Sequence, residues 1–146
     1  MIKDMFSADR VKFELKSKTK MEVIDELIDV LEKDGKINDR EVFKKAVLKR
    51  EEEFSTGIGL GIAIPHGKSN SVNEPSIVFG KSKNGIDYKS MDDEKAYLFF
   101  LIAVPEKSSD LHLKALSEIS RKLMHTEIRE QLKKVDNFED FIKIFD

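Results

Sequence analysis

The unbroken apolar run Ala96–Val104, nine residues closed by Pro105, limits the possible folds of this chain more than any other stretch. It is too short to be a membrane helix, which needs about 20 such residues. As a strand it would point every second side chain to the opposite face. Leu98, Phe99, Phe100, Leu101 and Ile102 are apolar on both faces. That is the signature of a central strand buried from both sides. Such a strand requires a layer of helices above it and another below.

Helices for two layers are legible. Met21, Ile24, Leu27, Ile28 and Leu31 recur at helical spacing, after a cap at Ser17 or Thr19 and before a stop at Gly35. Val42, Phe43, Ala46 and Val47 mark a second helix, capped by Asn38 or Asp39 and ending in Arg50-Glu51-Glu52-Glu53. Beyond Ser108-Ser109-Asp110, Leu113, Leu116, Ile119 and Leu123 mark a third. Ile128, Leu132 and Val135 mark a fourth, and Phe138, Phe141, Ile142 and Phe145 a fifth capped by Asn137. The β-type stretches are Val11–Leu15, which alternates, Ile62-Ala63-Ile64 halted by Pro65, and Ile77–Phe79. Asn84-Gly85 is a turn signal. The expected fold is α/β: a three-layer sandwich, with a mixed β-sheet flanked by helices on both faces, as a single domain over residues 1–146.

Composition excludes several functions. At 40% hydrophobic and 37% charged residues the chain is too apolar for disorder and too polar for a membrane protein. Lys plus Arg is 26 and Asp plus Glu is 28, a net charge of −2, which argues against nucleic acid or an anionic membrane as the main partner. The first residues carry no long apolar signal-peptide core. Cysteine is absent, which removes disulfides, thiolate metal sites and cysteine nucleophiles and fits a reducing cytoplasm.

Three histidines remain. His66, between Pro65 and Gly67, is expected at the C-terminal end of the Ile62–Ile64 strand, where α/β sheets bind ligands. The alternative is a plain turn histidine. His112 precedes Leu116, Ile119 and Leu123 at helical spacing, so it falls on the sheet-facing side of its helix, as a core residue or a site residue. His125 closes the third helix, a position the helix dipole favours without any chemistry. Gly57, Gly59 and Gly61 form neither a Walker loop nor a dinucleotide fingerprint. The run Arg50–Glu53 reads as a solvated face, although Arg50 could offer a planar fork to an oxyanion or phosphoryl group. A metal site from His66, His112 and Asp110 lacks the helical pair spacing that metals favour. Neither Ser55 nor Ser69 sits in a nucleophile elbow.

Three stretches together carry a resemblance: Arg50-Glu51 through Ser55-Thr56-Gly57-Ile58-Gly59, Gly61-Ile62-Ala63-Ile64-Pro65-His66-Gly67-Lys68, and Leu111-His112-Leu113-Lys114 through Ser120-Arg121-Lys122-Leu123-Met124. They resemble the IIA domain of the bacterial sugar phosphotransferase system, of the fructose–mannitol type and nearer the fructose branch. The resemblance implies a cytoplasmic phosphocarrier that takes a phosphoryl group from the histidine-containing phosphocarrier protein HPr. It would pass the group to a IIB component that serves a membrane IIC permease. A regulatory IIA-like protein is the second implication; a plain binding module with structural histidines is a more distant third. On these residues His66 would be the acceptor, as a tele-phosphohistidine, with His112 supporting it and Arg50 stabilising the phosphoryl group. No metal or other cofactor is implied, nor nucleic acid or membrane insertion. The residues themselves leave open what fixes the His66 tautomer, the backbone near Gly67 being one candidate. Ile58, Leu60 and Ile62 are candidates for an apolar rim around the site, or for core.

Overall fold

The computed structural model describes residues 2–108 and 110–146. Met1, the first residue of the expected domain, and Ser109, in the approach to the third helix, lie outside the described residues. The strands are β1 (Val11–Lys12), β2 (Gly57–Gly59), β3 (Ile62–Ala63), β4 (His66–Ser69), β5 (Ser76–Ile86) and β6 (Ala96–Pro105). The helices are α1 (Lys20–Lys33), α2 (Arg40–Glu53), α3 (Leu111–Leu123), α4 (Thr126–Lys134) and α5 (Phe138–Lys143). The strands form one mixed sheet in the order β1-β5-β6-β3-β2, with β4 also on β6. β5 runs antiparallel to β6, whereas β3 and β4 run parallel to it.

The apolar run became the central strand because it can lose water on both faces along nearly its whole length. Its side chains divide as the pleat dictates. Leu98, Phe100, Ile102 and Val104 enter a core with Ala115, Ile119 and Leu123 of α3 and Phe141 of α5. Phe99, Leu101 and Ala103 enter the opposite core with Val23, Ile24, Leu27, Ile28 and Leu31 of α1 and Phe43 and Val47 of α2. Full burial of a side chain of this size is worth about 1.5–3 kcal/mol. β6 collects that contribution at nearly every position, so it anchors both layers of the expected three-layer sandwich.

The helix starts follow from their caps. Thr19, not Ser17, caps α1 in a reciprocal capping box with Glu22. Asp39, not Asn38, accepts from the Val42 amide at the start of α2. Asn137 caps α5 as its sequence suggests.

Three local expectations are corrected. The alternation Val11–Leu15 yields only a two-residue strand. Leu15 still donates to the Lys81 carbonyl of β5, and beyond it Glu26 of α1 accepts from the Lys16 and Ser17 amides. Asn84-Gly85 is not the hairpin turn. Both residues lie within β5, where the register on β6 shifts between Lys81 and Ile86, and Gly85 takes φ +81°. The turn chemistry there builds a bulge. Finally, His66 does not end a strand; it opens β4. Ile62 and Ala63 pair with Leu98 and Phe99, and His66 and Gly67 pair with Ile102 and Ala103 in the same register. Pro65 interrupts the ladder because it has no N–H, yet its carbonyl still accepts from the Ile102 amide at 3.0 Å. β3 and β4 are therefore one parallel ribbon with a two-residue lapse, and His66 stands at the point of resumption.

Candidate functional site

Strand alternation decides which way His66 points. Gly67 faces α2 closely: a Cβ there would meet the Phe43 ring at 2.9 Å and Val47 at 3.1 Å. His66 and Lys68 therefore face the other layer, where α3 packs. From α3, the stripe His112, Ala115, Ile119 and Leu123 turns toward the sheet, with the last three buried. The spacing argument holds for His112, although Leu113 is exposed and lies outside the stripe. The two imidazoles meet with centroids 6.4 Å apart and planes inclined by 30°.

The His66 ring is half-buried, and its Nδ1 lies 3.0 Å from the Ile64 carbonyl oxygen. A carbonyl can only accept, so Nδ1 carries the proton. In the neutral ring Nε2 is then the bare nitrogen, with its lone pair directed away from that bond. The fixing acceptor lies two residues upstream, at Ile64, rather than around Gly67. Burial holds the His66 pKa below the ordinary imidazole value; the bond to Ile64 opposes this, while the Arg50 and His112 charges add to it. A neutral, oriented ring is the result.

His112 is held differently. Its Nδ1 is buried and has no hydrogen-bond partner among the described residues. Burial also lowers its pKa, helped by the Lys68 ammonium and opposed by Asp110.

Arg50, in the last turn of α2, acts on His66 through its charge. Its Nη1 donates to the Phe54 carbonyl at 2.8 Å, and the guanidinium lies over the Phe54 ring at 4.5 Å. The other candidates fall elsewhere. His125 is exposed at the start of α4, 4.0 Å from Glu127. Ser55 is committed to structure, donating to the Tyr88 carbonyl and accepting from the Gly57 amide. Ile58 and Leu60 are 40% and 56% exposed, whereas Ile62 is 1% exposed and belongs to the core. Strand pairing turns Ile62 inward, and Leu60 lies in the turn from β2 into β3, at the end of the ribbon away from His66. Among the described residues no cluster of three or more His, Asp and Glu side chains could hold a metal ion, and no helix is long and apolar enough to cross a membrane.

One group escaped the reading of Arg50–Glu53 as a solvated face. The Glu51 side chain is only 6% exposed. Its carboxylate accepts from the Thr56 amide at 3.0 Å, from the Thr56 hydroxyl, and from the Tyr88 hydroxyl at 2.9 Å, and it pairs with Lys20 at 2.9 Å. Burial pushes its pKa up, but the Thr56 and Lys20 contacts outweigh this and leave it below the ordinary value. The signal was present: Phe43, Val47 and Glu51 recur at four-residue spacing, so Glu51 continues the buried stripe of α2. Nothing in the sequence pointed to Tyr88.

This geometry has known relatives. The pattern of the family described as phosphoenolpyruvate-dependent sugar phosphotransferase system, EIIA 2, matches residues 4–146. The fructose-specific EIIABC component of Bacillus subtilis (strain 168) is 48% identical over 143 residues, which are 98% of this chain and 22% of that protein. The chain thus spans about a fifth of that relative's length. The fructose-specific EIIA component of Haloferax volcanii is 44% identical over 114 residues, 78% of this chain and 74% of that one. Among solved structures, the nitrogen regulatory protein IIA-Ntr from Neisseria meningitidis superposes with a TM-score of 0.91 at 26% identity, over 99% of each chain. With its mixed sheet, its paired histidines and a family pattern that runs almost end to end, the chain belongs to the EIIA 2 family of the phosphoenolpyruvate-dependent sugar phosphotransferase system.

Proposed function

We propose that the chain, as a single domain, is a cytoplasmic phosphocarrier with His66 as the acceptor. The observation that carries this reading is the bond from His66 Nδ1 to the Ile64 carbonyl, which leaves Nε2 as the nucleophile. In the proposed step the His66 Nε2 lone pair attacks the phosphorus of phospho-HPr. The donor N–P bond breaks as the new N–P bond forms, giving tele-phosphohistidine and free HPr. In the second step a IIB component attacks the same phosphorus, and His66 departs with its lone pair restored.

Phosphorylation places roughly two negative charges on the ring. His112 and Arg50 are the groups proposed to meet them. In neutral His112 the proton is best placed on the outer nitrogen, because an unpaired N–H at the buried Nδ1 is the costlier arrangement. Nε2–H is then a donor beside His66. Arg50 can turn its fork from the Phe54 carbonyl toward the phosphoryl oxygens. Catalysis of this kind is mainly positioning and electrostatics. The fructose-specific names of the two sequence relatives support a fructose-type system.

The test is labelling with phosphoenolpyruvate, the general phosphotransferase enzyme and HPr. An acid-labile, base-stable phosphoryl group on the wild type, lost in His66→Ala, supports the assignment; normal labelling of that variant refutes it. A regulatory role is favoured by the superposition on a nitrogen regulatory protein and by sequence relatives of that name. Onward transfer from the labelled chain to a purified fructose-type IIB protein separates the two: a transport component transfers, whereas a regulator retains its label.

A further inference from the structure

The buried carboxylate of Glu51 and the acceptor bond of His66 are joined through the backbone of two residues, Thr56 and Ile64. Glu51 takes both the amide and the hydroxyl of Thr56. The Thr56 carbonyl accepts from the Ile64 amide at 3.0 Å. The Ile64 carbonyl accepts from His66 Nδ1 at 3.0 Å. Ile64 lies in the two-residue lapse between β3 and β4, where the ladder on β6 is interrupted. Its amide is therefore held from the Thr56 side. The orientation of its carbonyl, and of the ring bonded to it, depends on where Thr56 is fixed.

Thr56 has no freedom of its own there. It is buried, and its hydroxyl also lies 3.3 Å from the Tyr88 hydroxyl, which itself donates to Glu51. Lys20 closes the cluster by its ion pair with Glu51 and by lying 4.6 Å over the Tyr88 ring. Four elements thus meet at one carboxylate: the end of α2, the start of α1, the approach to β2 and the segment after β5. A buried carboxylate is costly unless its lone pairs are filled, and here four donors fill them.

We propose that Glu51 is a positioning residue: by fixing the backbone of Thr56, and through it that of Ile64, it holds His66 in the Nδ1–H tautomer. Glu51 touches neither the His66 ring nor any reacting atom; it sets the acceptor that sets the tautomer. The consequence for phosphoryl transfer rests on the phosphocarrier reading. The tautomer itself does not.

The test reads the unphosphorylated chain. Long-range proton–nitrogen NMR of the imidazoles, above the His66 pKa, gives the ratio of Nδ1–H to Nε2–H forms. Glu51→Gln keeps the side-chain shape, removes the charge and halves the acceptor capacity. The His66 ratio is expected to fall about threefold or more, the scale of one net hydrogen bond. Thr56→Ser keeps both bonds to Glu51 and is expected to keep the wild-type ratio, whereas Thr56→Val shows a smaller fall. Charge removal alone moves the pKa, so the ratio is the decisive readout. A folded Glu51→Gln chain with the wild-type ratio overturns the proposal. If Glu51→Gln does not fold, a wild-type ratio in Thr56→Val overturns it equally. A chain that shows the expected shift yet takes no label from phospho-HPr refutes the phosphocarrier reading and leaves Glu51 in its positioning role.

Discussion

The two histidines that face each other across the site are held in opposite ways. On the β3–β4 ribbon, His66 has its inner nitrogen bonded to Ile64, and the bond leads back through Thr56 to a buried carboxylate. In the first turn of α3, His112 has its inner nitrogen buried with no partner among the described residues. Both imidazoles have their pKa lowered by burial. Among the described residues, the inner nitrogen of one ring is fixed by a hydrogen bond and that of the other is not. A group that must present a lone pair in one direction gains from such a fixed acceptor. A group that only donates to an incoming charge gains from being left adjustable. The contrast suits the different roles proposed for the two rings.

The strongest way to break the comparison is to remove each ring in turn. His66→Ala is expected to abolish phosphoryl labelling, read by acid-labile incorporation from phospho-HPr. His112→Ala is expected to slow labelling about 100-fold while the chain stays folded, the scale of losing one donor at a developing anion. An unaffected rate would make His112 a packing residue only. Arg50→Lys keeps the charge and loses the fork, and about tenfold slower transfer is expected if contact is bidentate.

Stability sharpens the same contrast through its sign. Replacing His112 by Leu removes a buried unpaired nitrogen, and is expected to raise stability by about 1 kcal/mol in urea unfolding. Replacing His66 by Leu strands the Ile64 carbonyl and is expected to lower it by about 1 kcal/mol. Equal signs for the two would erase the distinction. The smallest effect is on pH. Both folded-state pKa values lie below the unfolded imidazole value, so the unfolded chain binds protons first as the pH drops. Stability is therefore full above about pH 6.5 and is lost as pH falls below it. The melting temperature is expected to decline from pH 7.5 to 5.5, and to decline less in His66→Gln. Labelling, which needs neutral His66, is expected to stay level to a lower pH than a free imidazole allows.

How much of this was legible beforehand depended on the range of the interaction. Helix positions and the two-sided central strand were readable because spacing and apolarity act within a dozen residues. His112 was placed on the correct face for the same reason, by its distance to Ile119 and Leu123. The setting between Pro65 and Gly67 marks His66, but not its place in the ribbon. Pro65 has the chemistry of a strand stop, yet the neighbouring β6 keeps the ribbon in register on both sides of it. Glu51 was hidden by its charged neighbours, even though the Phe43 and Val47 spacing extended to it. Asn84-Gly85 carries genuine turn chemistry, and only the pairing of β5 with β6 turned it into a bulge.

The sequence by itself determined the layers. A strand apolar on both faces needs helices on both sides, and periodic helices were present to cover it. It also supplied the residue types of the proposed phosphoryl site and set two of them at readable positions. The tertiary structure alone decided how His66 is held, because that rests on the Ile64 carbonyl, Thr56, Glu51 and Tyr88. These come together from separate elements, and hydrogen bonds between backbone groups leave no mark in composition or period. Residue identity states what a side chain can donate or accept; only the fold states which acceptor lies within 3.0 Å.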